Sequence, residues 1–227
     1  SSGHLVLLPQ FFGWEDQGLT FDALLHGATL LAIVWVFWGD IVDILKGFFA
    51  NDRQGRLLGW WIILASIPAV FVGGVLGLDL EAARVPQIVG VSLIVWGIVM
   101  YLADRYRAQR KVEIKKPSKM KWYHALFIGL AQAVALIPGT SRSGITLTAG
   151  LFAGMNREQA LRFSFLMGLP VFAGATLLKA VDAAQNGLTM TPLALAVGFV
   201  VAFLSGIAAI KFLLKYVSKN ALTPFVI

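Results

Sequence analysis

Long apolar stretches separated by short polar ones dominate this chain. Thr20–Trp38, Leu57–Leu78, Pro86–Ala103, Phe163–Leu178 and Thr191–Leu214 stand out. Several reach roughly 18 residues, the length a helix needs to cross about 30 Å of hydrocarbon. They predict an all-α integral membrane protein, a polytopic helical bundle. Two further apolar pieces, Tyr123–Ile137 and Ile145–Met155, are short for a span and flank a polar break. A short helix, a glycine-rich turn and a second short helix read as a re-entrant hairpin. At the front, Leu5–Phe12 is another short apolar piece followed by full spans. With an arm before Ser1 it would form a second hairpin entering from the opposite face, giving an inverted-topology repeat. The expectation is one membrane domain over 1–227. Residues 1–103 form the first repeat with its N-terminal arm missing, and 104–122 a basic cytoplasmic loop. Residues 123–227 form the second repeat with its last span missing.

Composition agrees. Hydrophobic residues make up 58% and charged residues 14%, with a mean hydropathy of +0.76, outside the usual soluble balance. Without cysteine, disulfides and thiolate chemistry are excluded. The formal charge of +7 would suggest nucleic acid in a soluble protein. Here eight Lys/Arg against two acids fall within 104–121, which reads as a positive-inside signal and excludes a nucleic-acid partner. Placing that loop in the cytoplasm puts residues 40–56 there too and the first dozen residues outside. Trp14, Trp38, Trp60, Trp61 and Trp122 lie near segment ends, as in an interfacial aromatic belt.

The chemistry concentrates in Ile137-Pro138-Gly139-Thr140-Ser141-Arg142-Ser143-Gly144. Gly139 and Gly144 allow a turn with bare amides, and Ser141 and Ser143 offer hydroxyls. Arg142 supplies a permanent forked charge suited to phosphate oxygens. Thr146, one helical turn on, adds a hydroxyl, and a helix starting here would aim its amides at the anion. An arginine inside a membrane segment is costly without such a role. Ser1-Ser2-Gly3-His4 is linker-like by itself. Beside a phosphate site, its serine and histidine suggest a nucleophile and an acid/base. His26, Thr29 and Gln132 are lesser candidates, and His124 reads as solvated. Arg157, Glu158 and Arg162 read as the charged start of a helix capped by Asn156.

Two phosphatase patterns can be compared with these residues. The acid-phosphatase signature of lipid phosphatases is mimicked by Ser2-Gly3-His4 and Ser141-Arg142, but it requires a histidine where Thr148 stands. The chain instead resembles the undecaprenyl-pyrophosphate phosphatase family of the bacitracin-resistance type. The likeness is carried by Pro138–Gly144 with Thr146, by Ser1-Ser2-Gly3-His4-Leu5, by His26-Gly27-Ala28-Thr29 and by Phe163-Ser164-Phe165-Leu166 ending at Pro170. It extends over essentially the whole chain.

The resemblance implies hydrolysis of undecaprenyl diphosphate to the monophosphate carrier of cell-wall synthesis, in a multi-pass protein of the bacterial inner (plasma) membrane. Partners would be the lipid and the bilayer, and a homo-oligomer is compatible with this plan. Ser1, His4 and Arg142 are expected to be catalytic. Ser1 is assigned as nucleophile and His4 as acid/base, the reverse standing as the alternative. Ser2, Ser141, Ser143, Gly139, Gly144 and Thr146 are expected to bind phosphate. The resemblance also implies a divalent cation (Mg or Ca) held by two glutamates that would precede Ser1. Glu15 and Asp16 fall in a loop and do not replace them, so this polypeptide is expected to be deficient in metal binding and catalysis. The rival class is a lipid-phosphate transporter or flippase using the same midplane phosphate site. A scaffold would leave Arg142 unexplained.

Overall fold

The computed structural model describes residues 7, 11–13, 18–50, 52–75, 85–110, 113–116, 119–186 and 192–225. Ser1, Ser2 and His4, with Glu15 and Asp16, lie outside the described residues. Eight α-helices follow in order among those described: α1 (Gly18–Val36), α2 (Trp38–Phe49), α3 (Arg53–Val70), α4 (Pro86–Ala108), α5 (Trp122–Val134), α6 (Arg142–Phe152), α7 (Arg157–Asn186) and α8 (Pro192–Val217). A 3-10 turn, Thr223–Phe225, closes the described chain. There is no strand among the described residues; an isolated bridge joins Ile114 to Met155.

Among the described residues, four helices are long and apolar enough to cross a membrane: Arg53–Gly74, Pro86–Ala108, Arg157–Leu178 and Leu193–Val217. Leu25–Val36 and Trp38–Phe49 make a fifth if taken together, although the chain bends by 75° between them. Four of the five expected spans thus fall on α3, α4, α7 and α8, and the first, Thr20–Trp38, falls on α1, which makes a span only together with α2. Two prolines lie inside spans, Pro68 and Pro170. Pro68 cannot donate to the turn before it, and the helix widens into a π turn over Phe71–Val75 just beyond.

The outward faces are apolar. Val91, Ile94, Ile98 and Leu102 make an exposed stripe on α4, and Val197, Val200, Val201 and Leu204 do the same on α8. Such faces suit hydrocarbon. The interior gathers Ile33, Phe37, Ile128, Leu147, Leu151, Phe163, Leu166 and Met167 around α6 and α7. Close helix approach depends on small residues. A side chain at Gly129 of α5 would meet the Ala65 carbonyl of α3 at 2.6 Å, and one at Gly150 of α6 would meet Ala160 of α7 at 2.9 Å.

α5 and α6 are 13 and 11 residues long, about 20 Å and 16 Å of helix. Each is therefore too short for a span. Joined by the turn at 135–141, they pack against each other, with α3 beside α5 and α4 and α7 beside α6.

The basic segment divides in two. Asp104 and Arg107 belong to the last turns of α4 and are buried. Arg107 donates to the Met155 carbonyl at 3.0 Å and the Arg110 carbonyl at 2.9 Å, and it pairs with Glu113 at 2.9 Å. Asp104 pairs with Arg157 at 2.5 Å and accepts the Leu222 amide at 3.0 Å. Arg162 forks onto Asp40 at 3.2 and 2.9 Å. Asn156 caps α7, accepting the Gln159 amide at 2.8 Å.

Candidate functional site

The site begins with a turn that few residues could make. Gly139 has φ of 83°, a left-handed conformation costly for any residue with a side chain. A Cβ there would also lie 2.6 Å from the Val89 backbone of α4. The Thr140 amide returns to the Ile137 carbonyl at 3.1 Å, and Ser141 then caps α6, its Oγ accepting the Gly144 amide at 3.2 Å. Ser143 Oγ lies 3.5 Å from Ser141 Oγ. One helix start therefore carries Ser141, Arg142 and Ser143 together, with its amides and dipole favouring an anion.

Arg142 is held from three sides. Its Nη1 donates to Gln132 Oε1 of α5 at 3.5 Å and to the Ser164 carbonyl of α7 at 3.3 Å. Its guanidinium carbon stands 4.2 Å from the Phe172 ring centroid, a cation–π contact. A side chain at Gly168 would overlap the guanidinium. Gln132 is fixed in turn by donating to the Ala65 carbonyl at 3.3 Å. No carboxylate among the described residues lies within ion-pair distance of Arg142.

The arginine opens onto a cavity of about 330 Å³ lined by residues of α1, α3, α5, α6 and α7. Its polar lining is Ser141, Arg142, Ser143, Thr140, Gln132, Thr29 and His26; Phe165, Phe172, Ile33 and Leu136 help make the greater part of its surface apolar. His26 sits 5.4 Å from Phe172, ring to ring. The lesser sequence candidates His26, Thr29 and Gln132 thus join the site. Thr146 and Gly144 do not line the cavity. Thr146 is buried, donates to the Arg142 carbonyl at 2.7 Å and lies 2.6 Å from Ser164 Oγ. Gly139 and Gly144 instead border, with Ser141 and Ser143, a separate cavity against α4. Ser164, Gly168 and Phe172 were not among the site residues expected from sequence. Their spacing of four places them on one face of α7, a signal that was available.

A larger cavity of about 400 Å³ lies at the charged end, where Asp40, Asp43 and Asp52 face Lys115, Lys116 and Arg162. Its charges balance, so it has no preference for an anion.

A sequence profile described as "Bacitracin resistance protein BacA" matches residues 1–227. The chain belongs to the BacA family. It is also similar to "Undecaprenyl-diphosphatase 1" of Pseudoalteromonas translucida (strain TAC 125), 42% identical over 233 residues that cover all of this chain and 86% of that protein. The BacA profile spans both the Ser1–His4 motif and the Arg142 turn, of which the described residues include the second.

The divalent cation implied by the family resemblance can be tested against the residues present. No group of three or more His, Asp or Glu among the described residues is placed to hold a metal. The cavity offers one imidazole, hydroxyls and a guanidinium, whereas Mg and Ca take mostly oxygen ligands with carboxylates among them. The described residues do not fit such an ion, and no step below passes through one.

Proposed function

We propose that this chain hydrolyses undecaprenyl diphosphate to undecaprenyl phosphate and inorganic phosphate, recycling the lipid carrier of cell-wall synthesis. One observation carries the reading. An arginine with no carboxylate partner among the described residues stands at a helix start beside two serine hydroxyls, inside a bundle of membrane-crossing length. Membership of the BacA family and the likeness to an undecaprenyl-diphosphatase support the substrate.

In this reading α5 and α6 form a re-entrant hairpin, and the chain is an inverted repeat in the bacterial inner membrane. The turn presents Arg142, Ser141 and Ser143 to the diphosphate. Ser1 attacks the terminal phosphorus as His4 takes its proton, and undecaprenyl phosphate leaves as the bridging P–O bond breaks. His4 gives that proton to the departing bridging oxygen, then takes one from the water that attacks the phosphoserine, and the proton returns to Ser1 Oγ as its P–O bond breaks and phosphate is released. Arg142 offsets the charge that spreads over the transferred phosphoryl oxygens. A requirement for Mg or Ca enters only as something to be tested.

The test is phosphate release from undecaprenyl diphosphate in detergent by wild type and Arg142→Ala, with and without chelator. Release by wild type alone supports the phosphatase. If well-folded wild type binds the lipid, releases nothing and moves it across vesicles, the protein is a transporter instead.

A further inference from the structure

Three threonines follow the Pro138 turn, and Thr140, Thr146 and Thr148 are all buried. Two have the partners expected of a helical threonine. Thr146 donates to the Arg142 carbonyl, and Thr148 donates to the Gly144 carbonyl at 2.7 Å. Thr140 differs. It is 2% exposed, its Oγ1 has no hydrogen-bond partner among the described residues, and it stands in the wall of the Arg142 cavity. An enclosed hydroxyl without a partner lowers stability, and an apolar group of the same shape would remove that cost.

The same wall holds a second enclosed donor. Arg142 commits Nη1 to Gln132 and Ser164, while its buried Nε has no partner among the described residues. Two donors, on residues that line one cavity but themselves shielded from it by the packing around them, therefore lack an acceptor, next to the helix start that caps on Ser141. Both can give a proton to an oxygen, and the guanidinium itself cannot accept for Thr140. The missing group is an acceptor with several oxygens.

We infer that Thr140 is a substrate-contacting residue, its hydroxyl and the Nε edge of Arg142 together binding the phosphoryl oxygens of a diphosphate. The inference rests on the phosphatase reading for the identity of the ligand. Its chemistry is that of any phosphoryl oxygen. It also divides the labour within the motif: Thr140 serves the ligand, and Thr146 positions the backbone of Arg142 against α7.

The experiment compares wild type, Thr140→Val and Thr140→Ser as full chains in detergent. Three quantities are read: phosphate release from undecaprenyl diphosphate, binding of inorganic pyrophosphate by calorimetry, and thermal unfolding. Thr140→Val is expected to lose about tenfold to hundredfold in kcat/KM and in pyrophosphate affinity, the effect of a hydrogen bond to a charged group. It should unfold at the wild-type temperature or above. Thr140→Ser keeps the donor and should stay within about threefold of wild type. Wild-type kcat/KM and pyrophosphate affinity in Thr140→Val would overturn the inference. So would unfolding well below wild type, because the hydroxyl would then have a structural partner. A wild type that binds pyrophosphate but releases no phosphate would sink the phosphatase reading. The Thr140 inference would then stand or fall on the binding arm alone.

Discussion

Arginines occupy both ends of the α4–α7 region, and they are treated in opposite ways. At the charged end Arg107 is 4% exposed, yet it is ion-paired with Glu113 and donates to two carbonyls. Arg157 has Asp104, and Arg162 has Asp40 and Glu158. At the turn, Arg142 has a carboxamide oxygen, a backbone carbonyl and a phenyl face. A charge matched by carboxylates is neutralised in place and serves the fold. A charge held by neutral groups keeps its field for something that arrives later. The difference separates a structural arginine from a binding one better than burial does, since Arg157 and Arg162 are half-buried just as Arg142 is.

The sharpest break of the comparison is Arg142→Ala. Loss of about 10³-fold or more in kcat is expected, the scale of a transition-state arginine in phosphoryl transfer. Arg142→Lys should not restore activity, because a point charge lacks the fork. Thermal unfolding should change little, and a collapse of the fold would show that Arg142 belongs with the structural arginines. Arg107→Ala is the mirror image. It takes the donor from the Met155 and Arg110 carbonyls and leaves Glu113 only Lys115 at 4.0 Å, and should cost about 1–3 kcal/mol of stability, measured by unfolding, while kcat per folded molecule is kept.

Smaller changes sharpen the contrast. Gly168→Ala adds a methyl where the guanidinium lies. It should lower kcat/KM by up to about 10²-fold through misplacement of the charge, and an unchanged value would mean the guanidinium has room to spare. Gln132→Glu gives Arg142 the carboxylate that the other end supplies. Phosphate affinity should fall about tenfold as the pair neutralises itself, with stability lowered by about 1 kcal/mol through the lost donation to the Ala65 carbonyl; tighter binding would refute the account of an unmatched charge. Asp40→Asn removes a half-buried pair with Arg162 and should cost no more than about 1 kcal/mol, with phosphate release unchanged.

Much of the fold was legible in sequence because lipid solvation imposes a length. An apolar run either reaches across hydrocarbon or it does not, and four of the predicted spans map onto α3, α4, α7 and α8, the first needing α1 and α2 together. The Arg142 turn was legible for a related reason, since a charge and two glycines inside an apolar stretch need a cause. The bend of 75° after Val36 was not. It falls at the end of the Thr20–Trp38 stretch with no proline at the break, and α2 packs on α3. The basic run also misled in part. Charge counting treats its arginines alike, whereas Arg107 is drawn inside by Glu113 and the Met155 carbonyl, contacts made across the fold.

What the sequence alone determined is the solvent each segment requires and the kind of charge the turn carries, because both follow from composition over a short stretch. Only the tertiary structure decided which hydroxyls are paired within the protein. Thr146 and Thr140 are both threonines of one motif, but the α6–α7 packing gives Thr146 a carbonyl and Ser164, and leaves Thr140 without a partner among the described residues. It likewise decided that His26, Gln132 and Phe172, far apart in the chain, surround one guanidinium. Partners of that sort are set by distance in space, on which local composition is silent.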